Sequence, residues 1–309
     1  MQTHIGRWKP PFSGIWPAMV TPYDAGGEVN LRACRQLVAR FIREGAGGIY
    51  LCGTTAEAPL LRIEERKAIV ECVISEAAGQ LPIIVHVGHT APALAIELAR
   101  HAVDAGADAI SSILPPFFAY TPAQVARYWS TLVEYGDVPF FGYVMQDIGS
   151  TREAIQAWLD AVRTVPRFVG LKFTHESAYR VALLRDCGGP ELNIFSGSDQ
   201  DFLACRSQGA DAAIGSGYNF ALPVWREIDR LYQAGQVQAA GRLMVRAAAF
   251  VGRLTHVDYL AKAKWLLARQ GIDCGPVRPP LAPAGELPAR EMEAIFNELN
   301  DLLASVPAA

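Results

Sequence analysis

The chain has 309 residues, of which 51% are hydrophobic and 19% are charged, and its formal net charge at pH 7 is -3. This composition is typical of a soluble globular protein and excludes an intrinsically disordered chain, which would be poor in apolar residues. The near-neutral charge argues against nucleic acid or anionic lipid as the main partner, because neither would meet a basic surface. The sequence also contains no run of about 18 apolar residues, the length that a membrane-spanning helix needs. The N-terminal sequence MQTHIGRWKPPFSGI lacks the apolar core of a secretory signal. Six scattered cysteines without a CxxC pair predict reduced, buried thiols in a cytoplasmic protein.

Eight short apolar runs alternate with longer amphipathic stretches along the chain. They cover residues 14–20, 48–52, 82–87, 109–114, 139–144, 168–173, 192–196 and 212–216. Runs of this length predict buried strands, and each is followed by a stretch with the apolar spacing of a helix. Residue types that cap helix N-termini begin three of these stretches, at Asn30, at Thr121-Pro122 and at Ser150-Thr151. The pattern therefore predicts repeated βα units around a parallel sheet.

Three similar joints between a helix and the next strand recur at residues 44–49, 105–110 and 208–213. Each contains a glycine just after the helix, where a positive φ costs glycine least. The repetition favours a closed architecture, so we predict an α/β fold, a (β/α)8 TIM barrel, over residues 1–220. Residues 221–309 are predicted to form the last barrel helix and a C-terminal helical extension packed on the barrel. An open doubly wound sheet is disfavoured because no predicted strand is followed by GxGxxG.

A barrel places active residues at the C-terminal ends of its strands, and one lysine stands out there. Lys172 is the only lysine inside a predicted apolar strand. Alternation along that strand puts Lys172 on one face with Phe168, Gly170 and Thr174. Burial disfavours the ammonium form and favours the nucleophilic amine that a Schiff base requires, and we expect Gly170 to leave room for a ligand. The alternative is a structural ion pair between Lys172 and a carboxylate.

Two other strand ends carry groups that could act with this lysine. Tyr143 ends the preceding strand, and since adjacent strands lie about 4.8 Å apart, its phenol is expected to reach a ligand bound to Lys172. The alternative for Tyr143 is an interior aromatic residue whose hydroxyl bonds a backbone carbonyl. The segment Gly53-Thr54-Thr55 offers two hydroxyls and a turn whose N–H groups can converge on a carboxylate, with a plain turn as the alternative.

Two further motifs contain residue types that can bind phosphate or metal. The Gly-Ser-Gly sequence at residues 215–217 suits a phosphate at a helix N-terminus, which is a common use of that position in barrels. His86 and His89 have no third ligand candidate at motif spacing. We therefore interpret them as pocket or core histidines and predict no metal site.

These residues resemble the dihydrodipicolinate synthase and N-acetylneuraminate lyase superfamily of pyruvate-dependent class I aldolases. The resemblance extends from residues 16–22 to residues 275–281. Its main signposts are GTTAE at residues 53–57, Tyr143 and GLK at residues 170–172. As a set, in this order and spacing, they are highly specific to the superfamily. The lyase branch is most similar at residues 85–88, 172–174, 197–199 and 214–219.

The resemblance implies a role for each candidate site residue. Lys172 would form the Schiff base and Tyr143 would transfer the proton, while Thr54 and Thr55 would hold the pyruvate carboxylate, with Thr54 also among the catalytic groups. The residues that would bind the hydroxylated tail of the substrate are Thr174, Gly197, Asp199, Gln200 and Ser216. The lysine supplies the electron sink, so the resemblance implies no metal or organic cofactor. The implied partners are a small keto acid and further copies of the chain in a homotetramer.

Four features of the sequence depart from the family patterns. Residues 144–148 contain no arginine for the second carboxylate that dihydrodipicolinate synthases bind, and residues 117–118 are phenylalanines where those enzymes use a tyrosine. Gln200 replaces the acidic residue that sialic-acid lyases place after Asp199, and Ala56 replaces a glycine. These departures predict negligible condensation of pyruvate with aspartate semialdehyde and poor cleavage of N-acetylneuraminate.

The sequence therefore predicts a lyase that cleaves a 2-keto or 2-keto-3-deoxy acid to pyruvate and an aldehyde. One alternative is a dehydratase of 2-keto-3-deoxy sugar acids that uses the same lysine. Another is a non-catalytic barrel that binds a keto acid as a sensor, although such a site would need neither Lys172 nor Tyr143.

Overall fold

Eight parallel strands form a barrel in the computed structural model, which describes residues 12–175, 177–254, 258–286 and 288–307. The strands are β1 (Gly14–Pro17), β2 (Ile49–Leu51), β3 (Ile83–His86), β4 (Ala109–Ile113), β5 (Phe140–Val144), β6 (Phe168–Phe173), β7 (Asn193–Ser196) and β8 (Ala212–Gly215). From β2 to β8 each strand pairs with the next, and β1 pairs with β8. A bridge between Ala18 and Tyr50 brings β1 beside β2 and closes the circle. Each predicted apolar run contains one strand, so the predicted (β/α)8 barrel is confirmed.

Helices follow the strands and continue beyond the last one. They are α1 (Leu31–Arg43), α2 (Ile63–Ala77), α3 (Pro92–Asp104), α4 (Pro122–Leu132), α5 (Arg152–Val162), α6 (Tyr179–Gly188), α7 (Phe202–Ser207), α8 (Tyr218–Gln233), α9 (Val237–Leu254), α10 (Tyr259–Arg269) and α11 (Ala289–Leu303). Short 3-10 turns occupy Thr54–Ala56, Ala58–Leu60 and Ala284–Glu286. Within the described residues, no helix is long and apolar enough to cross a membrane.

Capping side chains explain where three helices begin. The Asn30 side chain accepts a hydrogen bond from the Ala33 N–H (3.1 Å) at the start of α1. Thr121 and Thr151 accept equivalent bonds at the starts of α4 and α5. Each oxygen satisfies an N–H that has no partner within its helix, and the three predicted caps are confirmed.

The three repeated joints share one helix-ending geometry. Gly45, Gly106 and Gly209 all have positive φ, at 68°, 93° and 101°. The residue after each glycine donates its N–H to a carbonyl of the last helical turn, at 2.9, 3.0 and 3.0 Å respectively. This is the bond of a glycine-terminated helix, and it turns the chain directly into the next strand.

The barrel interior is a packed core. One cluster of buried apolar residues there consists of Phe12, Trp16, Ala18, Tyr50, Ile84, Ala109, Phe141, Phe195, Ala212 and Ile214. The Phe195 ring meets Trp16 and Phe141 edge to face, with both pairs of ring centroids 5.3 Å apart. Small alanines beside these large rings let the layers fit together.

Strand β6 contains a bulge that simple alternation did not predict. Its pairing with β5 shifts between Phe140 and Phe141, which lie opposite Phe168 and Gly170, so Val169 is an extra residue. The extra residue reverses the alternation, because successive side chains point to opposite faces. Phe168 consequently packs with the outer core, between strands and helices. Its predicted position on the face of the lysine is wrong.

The expected role of Gly170 is also wrong. A Cβ atom at this position would lie 1.9 Å from the carbonyl oxygen of Asn193 on β7. The glycine therefore permits a close approach between two strand backbones. It does not leave space for a ligand.

The C-terminal helices pack on the barrel. Helix α8 begins at Tyr218 and bends at Ala221, which has non-helical backbone angles (φ -140°, ψ 28°) and lies two residues before Pro223. Buried residues of α9, α10 and α11 belong to the same hydrophobic cluster as those of the barrel helices. The division of the chain near residue 220 stays a prediction.

Candidate active site

Lys172 lies inside the barrel near the C-terminal end of β6 and is 5% exposed. Tyr143 on β5 is its register partner. The lysine Nζ lies 4.3 Å from the centroid of the Tyr143 ring and 4.5 Å from that of Tyr50. In the part of the chain that the structure describes, no carboxylate lies within ion-pair distance of this amine. The geometry thus lacks the carboxylate that a structural ion pair would require.

His86 is a neutral core histidine beside the two tyrosines. Its ring meets Tyr143 edge to face, with centroids 6.0 Å apart. The Ile113 N–H donates to Nε2 (3.1 Å), which assigns the proton to Nδ1, 3.0 Å from the Cys52 carbonyl oxygen. Burial and then the Arg66 charge lower the pKa of His86 to about 3. His86 therefore links three strand ends, as a core histidine would, and the described residues contain no cluster suited to a metal.

Thr54 and Thr55 lie in the 3-10 turn that follows β2, where Thr54 is exposed and Thr55 is buried. The Thr55 Oγ1 is 2.6 Å from the Ser216 Oγ, which joins the ends of β2 and β8. Thr54 is exposed and lines a cavity of about 230 Å³ together with His86 and His89. The turn thus reaches the C-terminal mouth of the barrel, where the sequence places it.

Asp199 follows β7, and its buried side chain lies against the start of α8. Its Oδ2 accepts a hydrogen bond from the Gly217 N–H (2.7 Å), and a Cβ atom at Gly215 would lie 1.7 Å from Oδ1. Burial raises the pKa of Asp199 to about 6, although the Gly217 bond and the Lys172 charge both act to lower it. A carboxylate of the chain itself occupies the helix N-terminus, which leaves the phosphate interpretation of residues 215–217 without support.

The remaining predicted residues line the mouth. Gln200 borders two cavities there, one of about 490 Å³ shared with Thr174 and one of about 210 Å³ shared with Gly197, Asp199 and Ser216. A Cβ atom at Gly197 would lie 1.9 Å from the Thr174 Oγ1, so glycine makes room for that hydroxyl. The predicted tail-binding residues therefore lie at two cavities that have Gln200 in common.

Sequence reasoning missed two features near this site. Tyr50 lies in a predicted strand, but no motif distinguished it from other buried aromatic residues. Glu57 belongs to the GTTAE signpost, yet its ion pair with Lys264 (2.6 Å) joins distant parts of the chain. Strand alternation could have directed Tyr50 to the interior, whereas no local signal indicates the Glu57–Lys264 pair.

Comparisons with known proteins agree with this architecture. The model of the dihydrodipicolinate synthetase family matches residues 11–299. The N-acetylneuraminate lyase of Clostridium perfringens is 28% identical over 288 residues, which cover 93% of this chain and 98% of that protein. The N-acetylneuraminate lyase of Mediterraneibacter gnavus is 27% identical over 274 residues, which cover 87% of both chains. The structure of the wild-type sialic acid aldolase of Ruminococcus gnavus has a TM-score of 0.90 at 26% identity and covers 96% of this chain and 99% of its own.

Proposed function

The chain belongs to the dihydrodipicolinate synthetase family, and from that premise we propose that Lys172 is the Schiff-base lysine of a 2-keto acid aldolase. The protein is a carbon–carbon lyase of the class I aldolase type, and it cleaves a keto acid. The observation that carries the assignment of Lys172 is its buried amine, which lies against two tyrosine rings without a carboxylate partner among the described residues. Such an amine is available as a nucleophile.

The chemistry begins when the neutral amine of Lys172 attacks C2 of the substrate. The carbonyl oxygen leaves as water, with one proton from the amine and one from the Tyr143 phenol, so a cationic iminium and a Tyr143 phenolate remain. The phenolate form of Tyr143 then takes the proton of the C4 hydroxyl as the C3–C4 bond breaks. The bond electrons pass to the iminium nitrogen, which gives an aldehyde and a neutral enamine. Tyr143 returns the proton to C3, and water releases pyruvate and the free lysine.

Contacts at the mouth support the remaining assignments. Thr54 and Thr55 carry the hydroxyls and N–H groups proposed to hold the pyruvate carboxylate, in a turn bonded to Ser216. Thr174, Gly197, Asp199 and Gln200 are proposed to meet the substrate tail, since they border the cavities at the opening. The names of the relatives suggest a sialic-acid-like substrate, and Gln200 favours a shorter or less hydroxylated one.

Borohydride trapping tests the assignment of Lys172. Incubation with pyruvate and borohydride should inactivate the protein and add one reduced pyruvate adduct to the peptide that contains Lys172. Borohydride without pyruvate is the control and should leave activity intact. A label on Lys262 or Lys264, or no label, would contradict the mechanism.

A panel of 2-keto-3-deoxy acids distinguishes the bond that is broken. Aldol cleavage releases pyruvate and an aldehyde in equal amounts, whereas dehydration releases water and retains the carbon chain. A barrel that only binds keto acids would give neither product.

We also propose a state of association and a location in the cell. A homotetramer, as the family resemblance implies, is supported by the exposed rings of Phe117 (96% exposed) and Phe118 (75% exposed). The six cysteines are free and buried, which suits a reducing cytoplasm. Light scattering of the purified protein and fractionation of cells that express it test these two proposals.

A further inference from the structure

The ring of Tyr50 covers the reacting nitrogen from a second side. The Lys172 Nζ lies 4.5 Å from the Tyr50 centroid, and the ring itself meets Tyr143 edge to face at 6.2 Å. Tyr50 is 1% exposed, so water does not screen this contact. Of the aromatic rings in the described ranges, only Tyr50 and Tyr143 carry the Nζ over a face.

Three contacts fix the Tyr50 ring in this position. Its hydroxyl donates to the Ser111 Oγ (3.1 Å) on β4. The backbone carbonyl oxygen of Tyr50 accepts a hydrogen bond from the Met19 N–H (3.0 Å), close to where β1 meets β2 and the barrel closes. A Cβ atom at Gly53 would lie 2.8 Å from the Tyr50 Cε1, so the glycine of the GTTAE signpost keeps space for the ring.

These contacts indicate different roles for Tyr50 and Tyr143. The Tyr50 hydroxyl is bonded to Ser111, and burial raises the pKa of Tyr50 well above its ordinary value, so this phenol remains protonated. What Tyr50 presents to the amine is therefore the negative face of its π-system. A cation over such a face is attracted to it, most strongly where water is excluded.

We propose that Tyr50 is a catalytic residue whose ring face stabilises the positive charge of the iminium formed on Lys172. This inference rests on the proposed function, because it requires the Schiff base. The iminium nitrogen is the Lys172 Nζ itself, and its charge appears when the carbinolamine loses water. The enamine that follows is neutral, so the ring favours the iminium over the neutral species on either side of it. The face of the Tyr50 ring thus attracts the cation at a place where none of the described carboxylates forms an ion pair with Lys172.

Substitutions that change the ring in steps test this role. Tyr50→Phe keeps the ring and should form the trapped adduct at nearly the wild-type rate. Tyr50→Leu removes the ring and should lower the trapping rate and kcat by between about fivefold and thirtyfold. Phe141→Leu is the matched control, since it removes a ring from the barrel core that does not face the amine, and it should change trapping less than twofold.

Fluorinated phenylalanines at position 50 test the charge of the ring face while the shape of the ring and the fold of the protein stay nearly constant. One, two and three fluorines weaken the negative face progressively while the ring remains, so the logarithm of the trapping rate should fall steadily along the series. A flat series, or a Tyr50→Leu variant that is folded and traps pyruvate like the wild type, would overturn the role of Tyr50 alone. Failure of the wild-type protein to be labelled on Lys172 would instead overturn the proposed function, and this inference with it.

Discussion

Two buried lysines of this protein have similar exposure and opposite surroundings. Lys172 inside the barrel is 5% exposed and lies against two tyrosine rings. Lys264 on α10 is 2% exposed, but its Nζ lies 2.6 Å from a Glu57 carboxylate oxygen and donates to the Pro276 carbonyl oxygen (2.8 Å). Burial alone therefore does not identify a nucleophilic lysine, and the partner of the amine decides its use.

The region around Lys264 is rich in charge. The other Glu57 carboxylate oxygen accepts the Arg278 N–H (2.8 Å), and the Arg278 guanidinium donates to Glu65 (2.7 Å). Burial lowers the pKa of Lys264, and the Glu57 carboxylate acts in the opposite direction. These pairs join the C-terminal segment to the residues that follow the Thr54–Thr55 turn, so we propose a structural role for Lys264 beside the catalytic role proposed for Lys172.

The most severe test of this contrast is removal of each lysine in turn. Lys172→Met should abolish turnover and pyruvate trapping, because the methionine has no amine to attack the keto group. Its melting temperature should be unchanged or higher, since no buried carboxylate loses a partner. Thermal melts and product assays check both parts. A variant that retains turnover, or that unfolds, would show that Lys172 has the structural role.

Lys264→Met should have the opposite outcome. It leaves the Glu57 carboxylate buried without its cation, which typically costs about 3–5 kcal/mol of unfolding free energy. Urea denaturation measures the loss, and the folded fraction should still form the pyruvate adduct on Lys172. The double variant Glu57→Gln/Lys264→Met removes both charges and should recover most of the stability. Equal stabilities for the single variant and the wild type would contradict the assignment.

The sequence indicated the region around Lys172 but not the ion pair of Lys264, and the reasons are physical. Lys172 and Tyr143 could be predicted because a charged or phenolic residue at the end of an apolar run is a local signal. The bulge at Val169 could not, since it depends on how β6 pairs with β5. The pair of Glu57 and Lys264 joins distant parts of the chain, and a single sequence carries no record of such a contact.

Two further features also depend on contacts between distant parts of the chain. Asp199 was predicted to face the substrate tail, but its carboxylate also accepts the Gly217 N–H at the start of α8. The resemblance indicated the residue, and only the folded chain reveals this second bond. The prediction that Gly170 leaves room for a ligand was wrong for the same reason, because the backbone that this glycine accommodates belongs to β7.

An aldehyde that carries its own carboxylate, such as aspartate semialdehyde, tests whether the active site has a cation to bind it. Residues 144–148 contain no arginine, and Arg180 on α6 is already bound to Asp147. Aspartate semialdehyde would lose hydration without gaining a charge-assisted bond, which is typically worth about 1.5–3 kcal/mol. Its condensation with pyruvate should therefore be slower by roughly tenfold to a hundredfold than that of an uncharged aldehyde of similar size. Comparable values of kcat/KM for the two aldehydes would indicate a cation that serves the site.

The charged region should also dominate the response to acid. The hydrogen bond from Arg278 is the main cause that lowers the pKa of Glu65 from 4.5 to about 2, against the effect of burial. Because the folded-state pKa is depressed, this stabilisation is complete above about pH 4.5 and is lost as the pH falls towards 2. Arg278→Met should flatten the fall in unfolding free energy over that interval, measured by urea denaturation at several pH values. Arg62→Met removes a more exposed partner of Glu65 and should flatten it less.

The smallest expected effect comes from adding one charge at the mouth near Lys172. Gln200 borders both cavities there, and a glutamate would accept hydrogen bonds from a sugar-acid tail with a full charge. A charged acceptor typically gains about 1 kcal/mol over a neutral one, so Gln200→Glu should raise kcat/KM for N-acetylneuraminate about fivefold. Trapping of pyruvate, which has no tail, should not change and is the internal control. Efficient cleavage of N-acetylneuraminate by the wild type, or the same substrate ranking in both proteins, would show that Gln200 does not select the tail.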